Sequence, residues 1–88
     1  MSNKKLSFSS KVLEVVRSIP RGKTMSYQEV ARLAGSPLAF RVVGSIMKKN
    51  FLADVPCHRV IKSDGSVGEY NRGGPTAKMK LIDRERLV

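Results

Sequence analysis

The chain has no tryptophan, one cysteine, one histidine and only five aromatic residues. A single cysteine closes no internal disulfide, so a disulfide scaffold is excluded and a reducing setting is expected. One cysteine and one histidine are too few for a closed zinc site, and no metal is expected. No apolar run approaches the roughly 20 residues needed to cross a bilayer. Met1 to Lys5 have no apolar segment behind them, so no secretory signal is expected. Acidic residues are scarce as well. Seven Asp plus Glu face seventeen Lys plus Arg over 88 residues, a formal net charge of +10. This length suits one small domain. A hydrophobic content of 41% is enough for a modest core and argues against disorder throughout.

A charge excess of this size opposes compaction and favours a polyanionic partner. The basic residues are not confined to a tail. Arg17, Arg32, Arg41, Lys48, Lys49, Arg59 and Arg72 run through the patterned body of the chain. That distribution points to a folded basic face rather than a disordered arm.

Residues 1–6 read as a disordered basic leader, and residues 7–88 as the domain. Val12, Val15, Val16 and Ile19 recur at helical spacing. Ser9 or Ser10 is the expected cap, and Pro20 the stop. Ser26 through Glu29 has the pattern of a capping box. Val30, Ala31 and Leu33 give the second helix its apolar side, and Gly35 ends it in the left-handed conformation. Ser36 is the expected cap of a third helix, with Pro37 at its first position and its end near Lys49. Two short helices joined by a glycine turn make a helix-turn-helix candidate. Residues 50–59 read as a loop and Val60 to Lys62 as a short strand. The turn Ser63-Asp64-Gly65-Ser66 would bring Val67 back beside that strand as a hairpin. Pro75 opens a last helix with Met79 and Ile82 on one side. The fold class expected is mainly α, a small α+β domain.

Pro56-Cys57-His58-Arg59-Val60 is where chemistry is concentrated. Positive charge and an imidazole beside a thiol favour the thiolate, which is the nucleophilic form. Cysteine proteolysis needs an oxyanion hole and a peptide groove as well, and no residue pattern here identifies either.

This pentapeptide resembles the active-site signature of the O6-alkylguanine-DNA alkyltransferases, the methylated-DNA–protein-cysteine methyltransferases. The likeness extends in order through Ile19-Pro20-Arg21-Gly22-Lys23-Thr24, Ser26-Tyr27, Ala34-Gly35, Arg41-Val42-Val43-Gly44, Asn50, Val67-Gly68 and Gly73-Gly74. It covers residues 8–87, and what it matches is the family's C-terminal DNA-binding and catalytic domain. The resemblance implies a winged-helix-like, helix-turn-helix domain with a short β-hairpin. It also implies a reaction without cofactor. Duplex DNA is bound, an O6-alkylguanine is flipped out, and Cys57 takes the alkyl group irreversibly, once per chain.

Roles follow from the same resemblance. His58 acts on Cys57 through a water, and Glu85 orients His58. Asn50 holds the turn between the recognition helix and the active-site loop. Arg41 fills the space left by the flipped base. Tyr27 crowds the phosphate beside the lesion and is the candidate proton donor to the leaving base. Ser26, Ala39, Gly44, Lys48, Lys49 and Arg59 complete the DNA-binding set. Val55, Val67, Gly68, Tyr70 and Asn71 form the base pocket, the Val55 and Cys57 carbonyls accepting from the exocyclic amine. A monomer in the cytoplasm or on the nucleoid is implied, with room for a separate repair partner.

Several positions depart from the family pattern. The loop Gly68 to Gly74 is one residue longer between the tyrosine and the glycine pair, and Glu69 puts an acid beside the pocket. The segment before Pro56 is one residue shorter, Phe51 stands where proline is common, and Asp54 adds negative charge near the DNA side. Alkyltransferase-like proteins, which bind such lesions without repairing them, carry Trp or Ala in place of the cysteine. Cys57 argues against that alternative.

Overall fold

The computed structural model describes residues 7–50, 52, 54–68 and 70–87. The expected leader, residues 1–6, lies outside the described residues. Helix α1 spans Phe8–Arg17 and buries Val12 and Val16, one turn apart, with Ile19 just beyond its end. Its cap is Ser7 rather than Ser9 or Ser10. The Ser7 hydroxyl accepts from the Ser10 amide at 3.1 Å, so the helix begins earlier than the apolar spacing alone suggests.

Helix α2, Tyr27–Leu33, is capped by Ser26, whose hydroxyl accepts from the Glu29 amide at 3.0 Å. Only that half of the capping box forms. The Glu29 carboxylate pairs with Arg32 on its own helix instead. Gly35, at φ +98°, ends α2 in a Schellman arrangement. The Ser36 amide donates to the Ala31 carbonyl and the Gly35 amide to the Arg32 carbonyl, both at 3.0 Å. This motif delays the next helix. Ser36 closes a turn through Pro37 and Leu38, its carbonyl accepting from the Ala39 amide at 2.9 Å. Helix α3 therefore spans Phe40–Lys48, with Ala39 at its cap position, and does not start at Ser36-Pro37.

The two short strands, β1 (Met25–Ser26) and β2 (Val60–Ile61), pair in parallel, Met25 opposite Val60 and Ser26 opposite Ile61. The small sheet is therefore a long-range clamp rather than the expected hairpin. The 63–66 turn does form. The Lys62 amide donates to the Ser66 carbonyl at 2.9 Å, and Asp64 Oδ1 accepts from the Ser66 amide at 2.9 Å and its hydroxyl at 2.8 Å. Val67 adds no strand after it. The aspartate side chain closes this turn locally, while β2 takes its partner from the segment before α2.

The core joins Val12, Val16 and Ile19 to Val30, Ala31 and Ala34 of α2, Val43 and Met47 of α3, and Val55, Cys57 and Val60. The reactive loop is thus anchored by core packing at both ends. Helix α4, Gly74–Arg86, turns a different stripe inward: Lys78, Ile82 and Glu85 are buried, while Met79 is half exposed. Two of those three residues carry ionisable groups, which apolar periodicity does not register.

Gly73 precedes α4 at φ +124°, and a Cβ there would lie 2.8 Å from the Ala77 Cβ. That neighbour is a methyl on the helix backbone and has no rotamer to yield. Gly73→Ala should cost about 1–3 kcal/mol of stability, read as a lowered denaturant midpoint.

Candidate active site

Cys57 opens a 3₁₀ turn, Cys57–Arg59, and is 5% exposed. The turn sends consecutive side chains to different places. Cys57 lines a cavity of about 800 Å³ together with Tyr27, Tyr70 and, from α3, Arg41, Gly44 and Lys48. His58 and Arg59 turn instead towards Glu85 on α4.

Glu85 is the hub of the second layer. Its Oε2 lies 2.9 Å from His58 Nε2. Arg59 grips both carboxylate oxygens, Nε to Oε1 at 2.9 Å and Nη2 to Oε2 at 2.7 Å. Arg59 Nη1 also donates to the Ile19 carbonyl at 2.8 Å, tying the end of α1 to the site. The Arg59 hydrogen bonds, opposed by burial and aided by His58, bring the Glu85 pKa down to about 2. A carboxylate fixed in this way accepts only, so Nε2 of His58 carries the proton that faces it and Nδ1 is left as the basic nitrogen. Arg59 was expected on DNA. Three of its donors go to Glu85 and Ile19, and its side chain is 16% exposed, so here it holds Glu85.

Tyr27 stands at the start of α2 and borders the cavity. Lys78 Nζ donates to its hydroxyl at 3.2 Å and lies 5.4 Å from the ring centroid. Lys78 is 1% exposed. Burial lowers its pKa to about 8, partly offset by attraction to the Cys57 charge. Lys78 is not among the site residues expected from the sequence. A lysine in a helix of low apolar content carries no signal of burial. Tyr70 lines the same cavity and meets the His58 ring edge-on at 6.5 Å between centroids. Burial, and next the Cys57 charge, push the Tyr70 hydroxyl pKa up, which keeps it a neutral donor.

Asn50 is buried after α3. Its Oδ1 accepts from the Leu52 amide at 3.1 Å, and its Nδ2 makes a long 3.5 Å contact to the Val55 carbonyl. It therefore sits at the junction between α3 and the reactive loop. Val55 is 1% exposed and packs in the core. Its carbonyl takes the Cys57 amide at 2.8 Å, and the residue also borders the smaller cavity beside Cys57. Gly68 borders Tyr27, an added Cβ lying 3.6 Å from the hydroxyl, and Val67 is half-buried beside it. Asn71 lines the cavity. Ser26 is committed to its cap, Ala39 begins α3, and Lys49 is exposed at the helix end. Asp54 bonds Arg17 at 3.0 Å, on the side of a smaller cavity of about 380 Å³ that shares Cys57 and Tyr70. Its charge is thereby met by α1. Glu69 and Phe51 lie outside the described residues.

Residues 7–87 match the family described as the 6-O-methylguanine DNA methyltransferase, DNA binding domain. The chain belongs to this family. It is similar to the methylated-DNA–protein-cysteine methyltransferase of Rattus norvegicus, 44% identical over 83 residues. That alignment takes in 92% of this chain and 40% of the relative, so the chain spans about two fifths of the rat protein. Among solved structures it resembles Mycobacterium tuberculosis OGT in complex with DNA, with a TM-score of 0.86 and 36% identity over 96% of this chain and 51% of that one. It also resembles S. pombe Atl1 in complex with damaged DNA containing O6-carboxymethylguanine, with a TM-score of 0.79 and 35% identity over 89% of this chain and 74% of that one. Among the described residues no helix is long and apolar enough to cross a membrane, and no group of three His, Cys, Asp or Glu could hold a metal ion.

Proposed function

We propose that residues 7–88 form one DNA-binding and catalytic domain that repairs O6-alkylguanine in duplex DNA, moving the alkyl group onto Cys57 once per chain. The observation that carries this reading is the placement of Cys57. The only cysteine of the chain lines a cavity that Arg41 and Lys48 of α3 also line. A nucleophile recessed in this way reaches an alkyl carbon only if the base leaves the stack, which costs a few kcal/mol. The charge of +10 supplies sequence-independent affinity for the duplex, and the nucleoid within the cytoplasm is the setting this work requires.

The step is a displacement at carbon. His58 Nδ1 takes the Cys57 proton through a water. The thiolate sulfur gives its electron pair to the alkyl carbon, and the carbon–O6 bond breaks with its pair going to guanine. The base then needs a proton. Tyr27 brings a hydroxyl to the cavity lining, and Lys78, with a pKa of about 8 and a hydrogen bond to Tyr27, can replenish it. Donors aimed at the leaving oxygen act more strongly in the transition state than in the ground state. Glu85 and Arg59 hold the imidazole in the required tautomer.

Intact-protein mass after incubation with duplex containing O6-methylguanine tests the reading. One added methyl per chain, absent with undamaged duplex, is the expected result. Lesion-dependent binding without mass gain would make the protein a damage sensor instead. Arg41 borders the cavity from the first turn of α3 and fills the gap that the flipped base leaves. Arg41→Ala should therefore slow repair of duplex by about tenfold or more, as expected for a lost group that stabilises the extrahelical state. It should leave reaction with free O6-alkylguanine base nearly as fast as before. Equal losses on the two substrates would remove the wedge role.

A further inference from the structure

The longer pocket loop is joined to the DNA-holding helix by one side chain. Asn71 Nδ2 donates to the carbonyls of Met47 at 3.2 Å, Lys48 at 2.8 Å and Asn50 at 2.7 Å. Met47 and Lys48 end α3 and Asn50 follows it; the Met47 carbonyl also takes the Asn50 amide at 3.2 Å, and a helix end leaves its last carbonyls short of intrahelical partners. The next residue extends the connection, since Arg72 Nη2 donates to the Leu52 carbonyl at 3.1 Å. The preceding residue, Tyr70, is the cavity wall, and its carbonyl accepts from the Gly74 amide at 3.0 Å. A closed turn thus carries the wall, the clasp on α3 and the start of α4 together.

The clasp has only one orientation. Rotating the Asn71 amide would set its oxygen against three carbonyl oxygens. Among the described residues its buried Oδ1 has no hydrogen-bond partner. The two Nδ2 hydrogens, shared among three carbonyls, hold the residue in place. What it accomplishes is a rigid link between Tyr70 and the end of α3.

We infer that Asn71 couples filling of the base pocket to the hold of α3 on DNA, and so sets how well the protein distinguishes damaged from undamaged duplex. The inference rests on the repair reading. Undamaged duplex engages α3 through Arg41 and Lys48 and leaves the pocket empty. A flipped lesion also presses on Tyr70, and the clasp passes that contact to the helix end. Coupling of this kind shows as a difference in affinity between the two ligands, typically 5–150-fold.

The test is the ratio of dissociation constants for undamaged and O6-methylguanine duplex, measured on Cys57→Ser protein so that no transfer intervenes. Asn71→Ala, which removes all three bonds, should lower that ratio about tenfold. Asn71→Ser, which keeps one donor, should lower it less, and it decides the matter if the alanine variant does not fold. An unchanged ratio in the folded variants overturns the inference, as does an equal loss of affinity for both duplexes, the signature of a merely structural residue. No lesion preference in protein that retains Asn71 overturns it too. The repair reading fails separately, by absence of alkyl mass on the parent chain while the ratio still responds to Asn71.

Discussion

Cys57→Ser abolishes alkyl transfer and leaves lesion binding within about 1 kcal/mol of the parent, the range of a mild substitution at a buried site. The substitution removes one polarisable atom and keeps the shape of the turn, because the Cys57 amide and carbonyl hold that turn through Val55 and Val60. What is lost is chemistry. A serine hydroxyl beside His58 is a far weaker nucleophile toward a saturated carbon than a thiolate. Removing the nucleophile of a working site typically costs a thousandfold or more, roughly to the level of the uncatalysed background. The wall made by Tyr27, Tyr70 and Lys78 is untouched, so the flipped base keeps its contacts. Rates come from the mass assay and affinities from equilibrium titration of labelled duplex. Alkyl transfer persisting in the serine protein would place the nucleophile elsewhere. A collapse of binding together with transfer would mean that Cys57 also carries the fold of the pocket.

Much of this site is legible from local sequence because local forces set it. Ser26 and Gly35 act through backbone bonds within a few residues, so the start and end of α2 follow from residue type. The adjacency of Cys57 and His58 is written in the chain, and family resemblance extends it to Glu85. What escapes is set by contacts across the chain. β2 pairs with Met25–Ser26, and no turn residue announces a partner 35 positions away. α3 starts at Phe40 because the Schellman bonds use Ser36, although Ser36-Pro37 has every residue preference of a helix start. Arg59 reads as a DNA cation because charge is what sequence displays; its bidentate hold on Glu85 is visible only when α4 is folded against the reactive turn. Lys78 is hidden by the same cause, being a charged residue on the buried face of the least apolar helix.

Glu85→Gln is expected to lower stability by about 3–5 kcal/mol, the usual cost of breaking a buried ion pair on one side. That is a large share of the 5–15 kcal/mol available to a typical domain. The comparison with other ion pairs shows why this one matters. Arg17–Asp54 and Arg32–Glu29 are solvent-exposed, where such pairs contribute about 0–1 kcal/mol. Glu85 has a side chain 9% exposed and faces Arg59 at 16% and His58 at 13%. An amide there keeps the shape, but it presents a donor to one of two donors and leaves the guanidinium without its counter-charge. The dependence on pH identifies the cause. The Glu85 pKa falls from an ordinary 4.5 to about 2 on folding, so the folded state holds fewer protons than the unfolded chain between those values. Its stabilisation is fully present above about 4.5 and is lost as pH falls toward 2. The gap between parent and Glu85→Gln in denaturant unfolding should therefore be widest near neutral pH and narrow steadily below about 4.5. A gap independent of pH would assign the loss to packing. Under conditions where both proteins are folded, the variant should also transfer more slowly with an altered pH profile, because His58 no longer has a carboxylate to fix its tautomer. A slower rate with an unchanged profile would separate the stability of the site from its chemistry and leave Glu85 a structural anchor for Arg59 alone.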